Sequence, residues 1–382
     1  MPNTIEFSHL DVSNQRVSLL AKFDGQEHSL WYEFDREVKP STNAVAVALS
    51  TLCGTKFDSI FYDFPIADET TQLIQKFTKT PVTSSASCMP VAPRGGGRIL
   101  SFSGGFDSFA ALRLLGSEAH LVSLDFGGWF EREARFFNNF DPLVIKTNIR
   151  QTPTQKNSLA TNHWTFMATG AILTAEYFGA TQHSFGSILG ETFSRPVKSP
   201  KRVAPLEMMG LTESPVTNGI TELGTAKLLL QSDPQLVADS IKSLAGKTDR
   251  KRYLKTAIAT LLAPQYCQSL SLPELPGSWS APISITDSYT TTMSLLYFIS
   301  VGKLELIAPL FREIPDSLLS FASETDMEFM LKANTDHYQF SQRKDAGKLL
   351  ASLENYGFSP YTEFDWNNAK ATRQFLNHLF GK

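Results

Sequence analysis

The chain has 382 residues, 42% of them hydrophobic and 19% charged, with a formal net charge of −3 and a pI near 6.2. That length exceeds one ordinary core and predicts two or three domains, and the balance of apolar and charged residues excludes a disordered chain. The slight acidity argues against a protein that holds nucleic acid mainly through its phosphates, and no apolar run is long enough to span a membrane.

The N-terminal segment carries β-formers in alternation: Thr4 to Phe7, Arg16 to Leu20 and His28 to Phe34. Asp24-Gly25 between two of these runs predicts a hairpin. Ala44 to Leu52 reads as an apolar helix, Ser59 to Tyr62 as a strand and Glu69 to Phe77 as a helix. Together they predict an N-terminal α+β domain over residues 1–90. The stretch 80–97, rich in Pro, Ser and Gly, reads as a linker. Strand and helix then alternate: strand 99–102, helix 109–115, strand 120–124, helix 131–140, strand 143–146, a long helix over 162–178, and a strand from Thr181. This repetition predicts a doubly wound, mostly parallel sheet over residues 98–205. Beyond it, residues 206–382 read as mostly helical, with candidates at 220–230, 235–244, 252–262, 292–311, 324–331, 343–356 and 367–380. The fold class expected is therefore α/β with an added N-terminal domain and a helical C-terminal region.

Cys53, Cys88 and Cys267 match neither a zinc pattern nor a disulfide framework. No basic-then-apolar leader opens the chain. A cytoplasmic location, without membrane contact, is expected.

The strongest signal is Arg98 to Leu115, RILSFSGGFDSFAALRLL. An apolar strand runs into Ser103-Gly104-Gly105-Phe106-Asp107-Ser108, and a helix follows at once. A small-residue turn at a strand-to-helix junction aims several backbone N–H groups at one point, and the helix dipole adds positive potential there. Polyphosphate binding is the chemistry this favours. The string lacks the lysine and spacing of a Walker A loop and the third glycine of a dinucleotide fingerprint. Asp125-Phe126-Gly127-Gly128 falls at the end of the next strand, on the rim where parallel sheets bind ligands.

The string resembles the PP-loop of the N-type ATP pyrophosphatases, in which S-G-G-x-D-S precedes the helix. Within that superfamily the chain is similar, over roughly residues 98–255, to the 7-cyano-7-deazaguanine synthases (QueC-like proteins). Leu124-Asp125-Phe126-Gly127, Glu133, Gly179-Ala180 and Gly186 correspond to elements of those enzymes. The resemblance implies a PP-loop (HUP-like) fold and an activity that cleaves ATP between its α and β phosphates. AMP would pass to a carboxylate or amide oxygen of an acceptor, pyrophosphate would leave, and nitrogen would be installed. Trp129-Phe130 stands where the synthases carry an Arg-His pair, and no cysteine occurs in Ser240 to Arg252. No zinc is expected, and the acceptor is not identified.

Ser103, Gly104, Gly105, Phe106, Asp107 and Ser108 are expected to surround the phosphates, with Asp107 and Ser108 as catalytic candidates. Asp107 orients the loop or holds Mg²⁺, since a bare carboxylate repels polyphosphate. Asp125 and Phe126 are candidates for the adenosine, although Phe126 suits core packing and Asp125 a turn cap equally well. Gly186 and Glu191 fall at the next strand end. Arg195, Lys198, Lys201 and Arg202 form a cation cluster that suits either departing pyrophosphate or a solvated loop. His163, Trp164 and His183 fit satisfied core positions better than a role as base or base-stacking groups. Cys267 has no partner histidine at a telling position. The cofactors expected are ATP and Mg²⁺, and the partner is a small-molecule or base-like acceptor. A protein partner on the N-terminal domain or helical tail, and a homodimer, are also compatible. Two further classes compete: a non-catalytic nucleotide-binding subunit of a larger complex, and an RNA-modification enzyme of the PP-loop class. The latter would want a cysteine pair and a basic face.

Overall fold

The computed structural model describes residues 3–89, 95–154, 158–190, 195–199, 202–214, 216–244, 249–267, 270–275, 279 and 281–382, without the Trp129 side chain. In chain order its first elements are β1 (Thr4–Val12), β2 (Arg16–Phe23), β3 (Gln26–Phe34), α1 (Thr42–Cys53), β4 (Ser59–Tyr62), α2 (Asp68–Thr78), β5 (Val82–Ser84) and β6 (Gly97–Ser101). Then come α3 (Phe106–Leu115), β7 (Ala119–Asp125), α4 (Glu131–Phe137), β8 (Leu143–Thr147), α5 (Thr169–Phe178), β9 (Ala180–Ser184), α6 (Ala204–Met208) and β10 (Thr212–Glu213). The remainder is helical: α7 (Glu222–Ser232), α8 (Pro234–Leu244), α9 (Arg250–Tyr266), α10 (Tyr289–Ser300), α11 (Asp316–Glu324), α12 (Arg343–Asn355) and α13 (Glu363–Leu379).

The chain divides into two compact units. One comprises Met1–Ser103, Ser117–Phe185 and Lys201–Ser214, and the other Gly104–Gly116, Gly186–Pro200 and Pro215–Lys382. The first unit is α/β and holds a mixed, mostly parallel sheet in the order β10-β9-β6-β7-β8-β3-β2-β1-β4-β5. The alternation read in the N-terminal runs is seen in β2, where Val17, Leu19, Ala21 and Phe23 are buried in turn. Asp24 and Gly25 both take positive φ, 52° and 73°, as the tight turn between β2 and β3 requires. β3 then pairs antiparallel with β8, Tyr32 opposite Thr147 and Phe34 opposite Ile145. One sheet therefore runs across the stretch read as a linker, and Val82–Ser84 within that stretch forms β5, parallel to β4.

The sheet needs a cover, and α1 supplies much of it. Asn43 to Cys53 are all buried, as suits a helix that is apolar all round. Ser41 caps it, its Oγ accepting from the Ala44 N–H at 3.2 Å. Tyr62 stacks on Phe7 with ring centroids 5.3 Å apart and donates its hydroxyl to Ala46 O. One apolar core joins Phe7, Leu19, Tyr32 and Leu49 to Ile99, Ile145, Ile172 and Leu206. At roughly 1.5–3 kcal/mol for each large side chain buried, contributions from both sides of residues 80–97 are needed to stabilise this unit.

Two expected helices are shorter than their periodicity implied. The long helix over 162–178 is regular only from Thr169. His163 is extended, and its Nδ1 accepts from the Thr165 N–H at 3.3 Å, capping a separate 3₁₀ turn over Trp164–Ala168. The helix over 131–140 ends at Phe137 and closes in a 3₁₀ turn before Asp141, which is left-handed at φ 49° and precedes Pro142.

The second unit is helical. Its cap residues show in the sequence: Thr221 Oγ1 accepts from the Gly224 N–H at the start of α7, Asp249 caps α9, and Thr362 with Asp365 forms a capping box on α13. The helix expected over 292–311 stops at Ser300, because Gly302 turns left-handed at φ 68° and Pro309 opens a 3₁₀ turn. In the 324–331 stretch, α11 ends at Glu324 and only a 3₁₀ turn over Glu328–Leu331 follows. No helix among the described residues is long and apolar enough to cross a membrane.

Candidate functional site

The SGGFDS turn begins where β6 ends. Ile99 and Leu100 are fully buried, so the strand is fixed up to Ser101. The Phe102 N–H donates to Val122 O at 2.8 Å and the Phe102 ring is buried. Ser103 is exposed. Gly104 takes φ 75°, a conformation that explains its glycine. Gly105 is the N-cap of α3, and the first bond of the helix runs from the Phe109 N–H to Gly105 O at 2.8 Å. The amides of Phe106 and Asp107 therefore have no acceptor within the helix and point out of its positive end. Ser108 is buried and donates its hydroxyl to Gly105 O at 3.1 Å. The Phe106 ring is core, 1% exposed, so only its backbone can meet a ligand.

Within the second unit, three other helices converge on this turn. Lys255 of α9 is 1% exposed, with Nζ 2.9 Å from Asp107 Oδ1 and 3.0 Å from Glu222 Oε1. Burial alone would lower the pKa of this lysine, but the Asp107 and Glu222 carboxylates outweigh it and hold the ammonium above its ordinary value. Thr225 of α7 donates to the same Asp107 oxygen at 3.4 Å. Ser240 of α8 donates to Gly104 O at 2.8 Å, tying down the turn. Two carboxylates against one ammonium leave the cluster one negative charge in excess. Asp107 Oδ2 has no partner among the described residues, so one hard oxygen is available to a divalent cation, which matches how Mg²⁺ is held by few protein ligands beside phosphates.

Gly186 lies directly against this turn. A Cβ built there would stand 2.3 Å from Ser108 N and 2.5 Å from Asp107 C. Glycine is required because the backbone after β9 rests on the first turn of α3. Sequence reasoning placed Gly186 only on the rim. It did not single out Lys255, and it missed Glu222, Thr225 and Ser240. A lysine inside the apolar run Tyr253-Leu254-Lys255-Thr256-Ala257-Ile258 is the signal that could have found it.

On the first unit's rim, Asp125 Oδ1 accepts from the Gly127 N–H at 2.9 Å, the turn-capping role. Phe126 is half-buried beside Phe130 and Phe166. The Arg150 guanidinium stands 5.0, 4.6 and 5.0 Å from the centroids of Phe126, Phe130 and Phe166, so one face of the Phe126 cluster is already covered by a cation. Asp125 also lines a cleft of about 860 Å³ with Arg16, Glu33, Asp35, Arg135 and Lys146.

Other candidates have structural partners. Arg195 binds Glu363 at 2.6 Å and lies 5.2 Å from the Trp366 ring centroid, and Arg202 is 3.5 Å from Glu207. Lys198 is exposed. Glu191 and Lys201 lie outside the described residues. Trp164 is 55% exposed and His183 fully buried. Burial raises the pKa of the Cys267 thiol, and its Sγ–H donates to Ala263 O, which makes it a poor nucleophile. Among the described residues no three or more His, Cys, Asp or Glu side chains are grouped to hold a metal. No protein-family profile, curated protein or solved structure matches the chain.

Proposed function

We propose that the protein is an ATP-dependent ligase of the N-type ATP pyrophosphatase class. It would bind Mg·ATP at Ser103–Ser108, transfer AMP to a carboxylate or amide oxygen of an acceptor and release pyrophosphate, after which a nitrogen nucleophile displaces AMP. The observation that carries this reading is Asp107. It stands in the first turn of α3 with one oxygen fixed by buried Lys255 and the other without a partner among the described residues. The local excess of one negative charge disfavours a bare polyphosphate and favours one that arrives with a divalent cation. Positioning and charge stabilisation suffice for such a transfer, so no separate nucleophile is needed on the loop.

The test has two parts. Titration calorimetry with a non-cleavable α,β-methylene ATP should show Mg²⁺-dependent binding, weakened at least about tenfold in Asp107→Ala. Mass spectrometry after incubation with ATP and a panel of carboxylate and base-like acceptors should show AMP and pyrophosphate. ADP and phosphate as products would refute the assignment. Binding with no turnover on any acceptor would instead favour a nucleotide-binding subunit.

A further inference from the structure

Three polar side chains stand in a row at the carboxyl ends of three adjacent strands of the first unit. Ser101 is the last residue of β6, His183 the last but one of β9, and Glu213 the last of β10. His183 and Glu213 are opposite each other in register, whereas Ser101 lies two residues beyond Ile99, the partner of His183 across β6 and β9. Ser101 Oγ is 2.8 Å from His183 Nε2, and His183 Nδ1 is 3.1 Å from Glu213 Oε2. A carboxylate can only accept, so His183 carries a proton on Nδ1, and in the neutral ring Nε2 is the acceptor facing the Ser101 hydroxyl. The Phe185 ring packs edge-on against the imidazole, centroids 4.3 Å apart, and His183 is fully buried. Ser101 is only partly buried. A buried polar ladder could sit anywhere along a sheet. This one ends on a partly exposed serine at the rim where parallel sheets bind ligands.

We propose that Ser101 is an activated nucleophile and that Ser101, His183 and Glu213 form a second, acyl-accepting site. This does not rest on the nucleotide reading. In the step inferred, Ser101 Oγ attacks the carbonyl carbon of an ester while its proton passes to His183 Nε2, and Glu213 stabilises the imidazolium. The C–O bond to the leaving group breaks, the departing alkoxide takes the proton from His183, and an acyl-serine remains for water to hydrolyse through the same histidine. The Phe102 N–H next to the nucleophile is already committed to Val122 O. It cannot serve an oxyanion, and each missing donor of that kind costs about 10²–10³ in rate. The substrates that fit are therefore activated esters rather than amides.

The experiment uses the full chain with a fluorophosphonate probe and with p-nitrophenyl acetate. With the probe, the P–F bond breaks, a P–O bond forms to Ser101, and fluoride leaves with the proton. One label per chain, mapped by peptide mass to Ser101, is expected, together with slow release of p-nitrophenol. Ser101→Ala should abolish labelling. Glu213→Gln, which can still hydrogen-bond His183 but no longer carries charge, should slow labelling at least about tenfold. His183→Gln is the further variant, compared only if its circular dichroism and melting curve match the parent. Labelling of the parent no faster than that of folded Ser101→Ala, or a label on another residue, would overturn the proposal.

Discussion

A lysine buried between two carboxylates is tolerated only while its partners remain. Removing Lys255 leaves Asp107 and Glu222 with their charges uncompensated. Lys255→Met should cost about 3–5 kcal/mol, measured by urea unfolding. Asp107→Ala leaves Lys255 with Glu222, a neutral pair 3.0 Å apart, and should cost much less while weakening the proposed Mg·ATP binding. The same reasoning makes His337 a pH sensor of stability. Burial lowers its pKa from 6.5 to about 4, with Asp336 opposing weakly. The unfolded chain therefore binds the proton more readily. The native state is fully favoured above about 6.5 and loses this contribution as pH falls toward 4, by roughly 3 kcal/mol in total. In His337→Asn the difference in unfolding free energy between pH 7 and pH 4.5 should shrink accordingly. An unchanged slope would mean that His337 does not carry it.

At the scale of elements, the turn before α3 is held from one side by a loop and from another by helices. Gly186→Ala introduces a methyl 2.3 Å from Ser108 N, a distance no relaxation of a side chain relieves, because the clashing atom is backbone. The expected result is a loss of at least about 2 kcal/mol and, on the proposed function, of nucleotide binding together, read from a melting curve and a titration. The α13 cap is a second case. Asp365 is buried, and burial pushes its carboxyl up, but the Thr362 backbone, Lys332 and the Thr362 hydroxyl together hold it below the usual range. Its Oδ1 is 2.9 Å from Lys332 Nζ. Asp365→Ala removes the capping box and this ion pair at once and should cost about 2 kcal/mol. These caps carry a local signal, Thr or Asp before an apolar run, which sequence reasoning did not use. The start of α5 at Thr169 and the helix ends at Phe137, Ser300 and Glu324 were read less well, because apolar periodicity continues through a 3₁₀ turn.

For the whole molecule, the shared sheet decides what can be separated. β3 is hydrogen-bonded to β8, and one core draws side chains from before and after residues 80–97. A chain beginning at residue 95 should expose the face that α1 covers and be recovered only as aggregate, whereas soluble, cooperatively melting protein would show that the N-terminal segment is dispensable. The local sequence determined the hairpin at Asp24-Gly25, the strand-to-helix junction at Ser103–Ser108 and the alternation of strands and helices, because each rests on residues within a few positions of one another. It could not supply the pairing of Tyr32 with Thr147, 115 residues apart, or the meeting of Ser101, His183 and Glu213. Nor could it bring Lys255 to Asp107, 148 positions away. Those partners are chosen by packing and hydrogen bonding between distant segments, and only the tertiary structure decides which charges share a buried site.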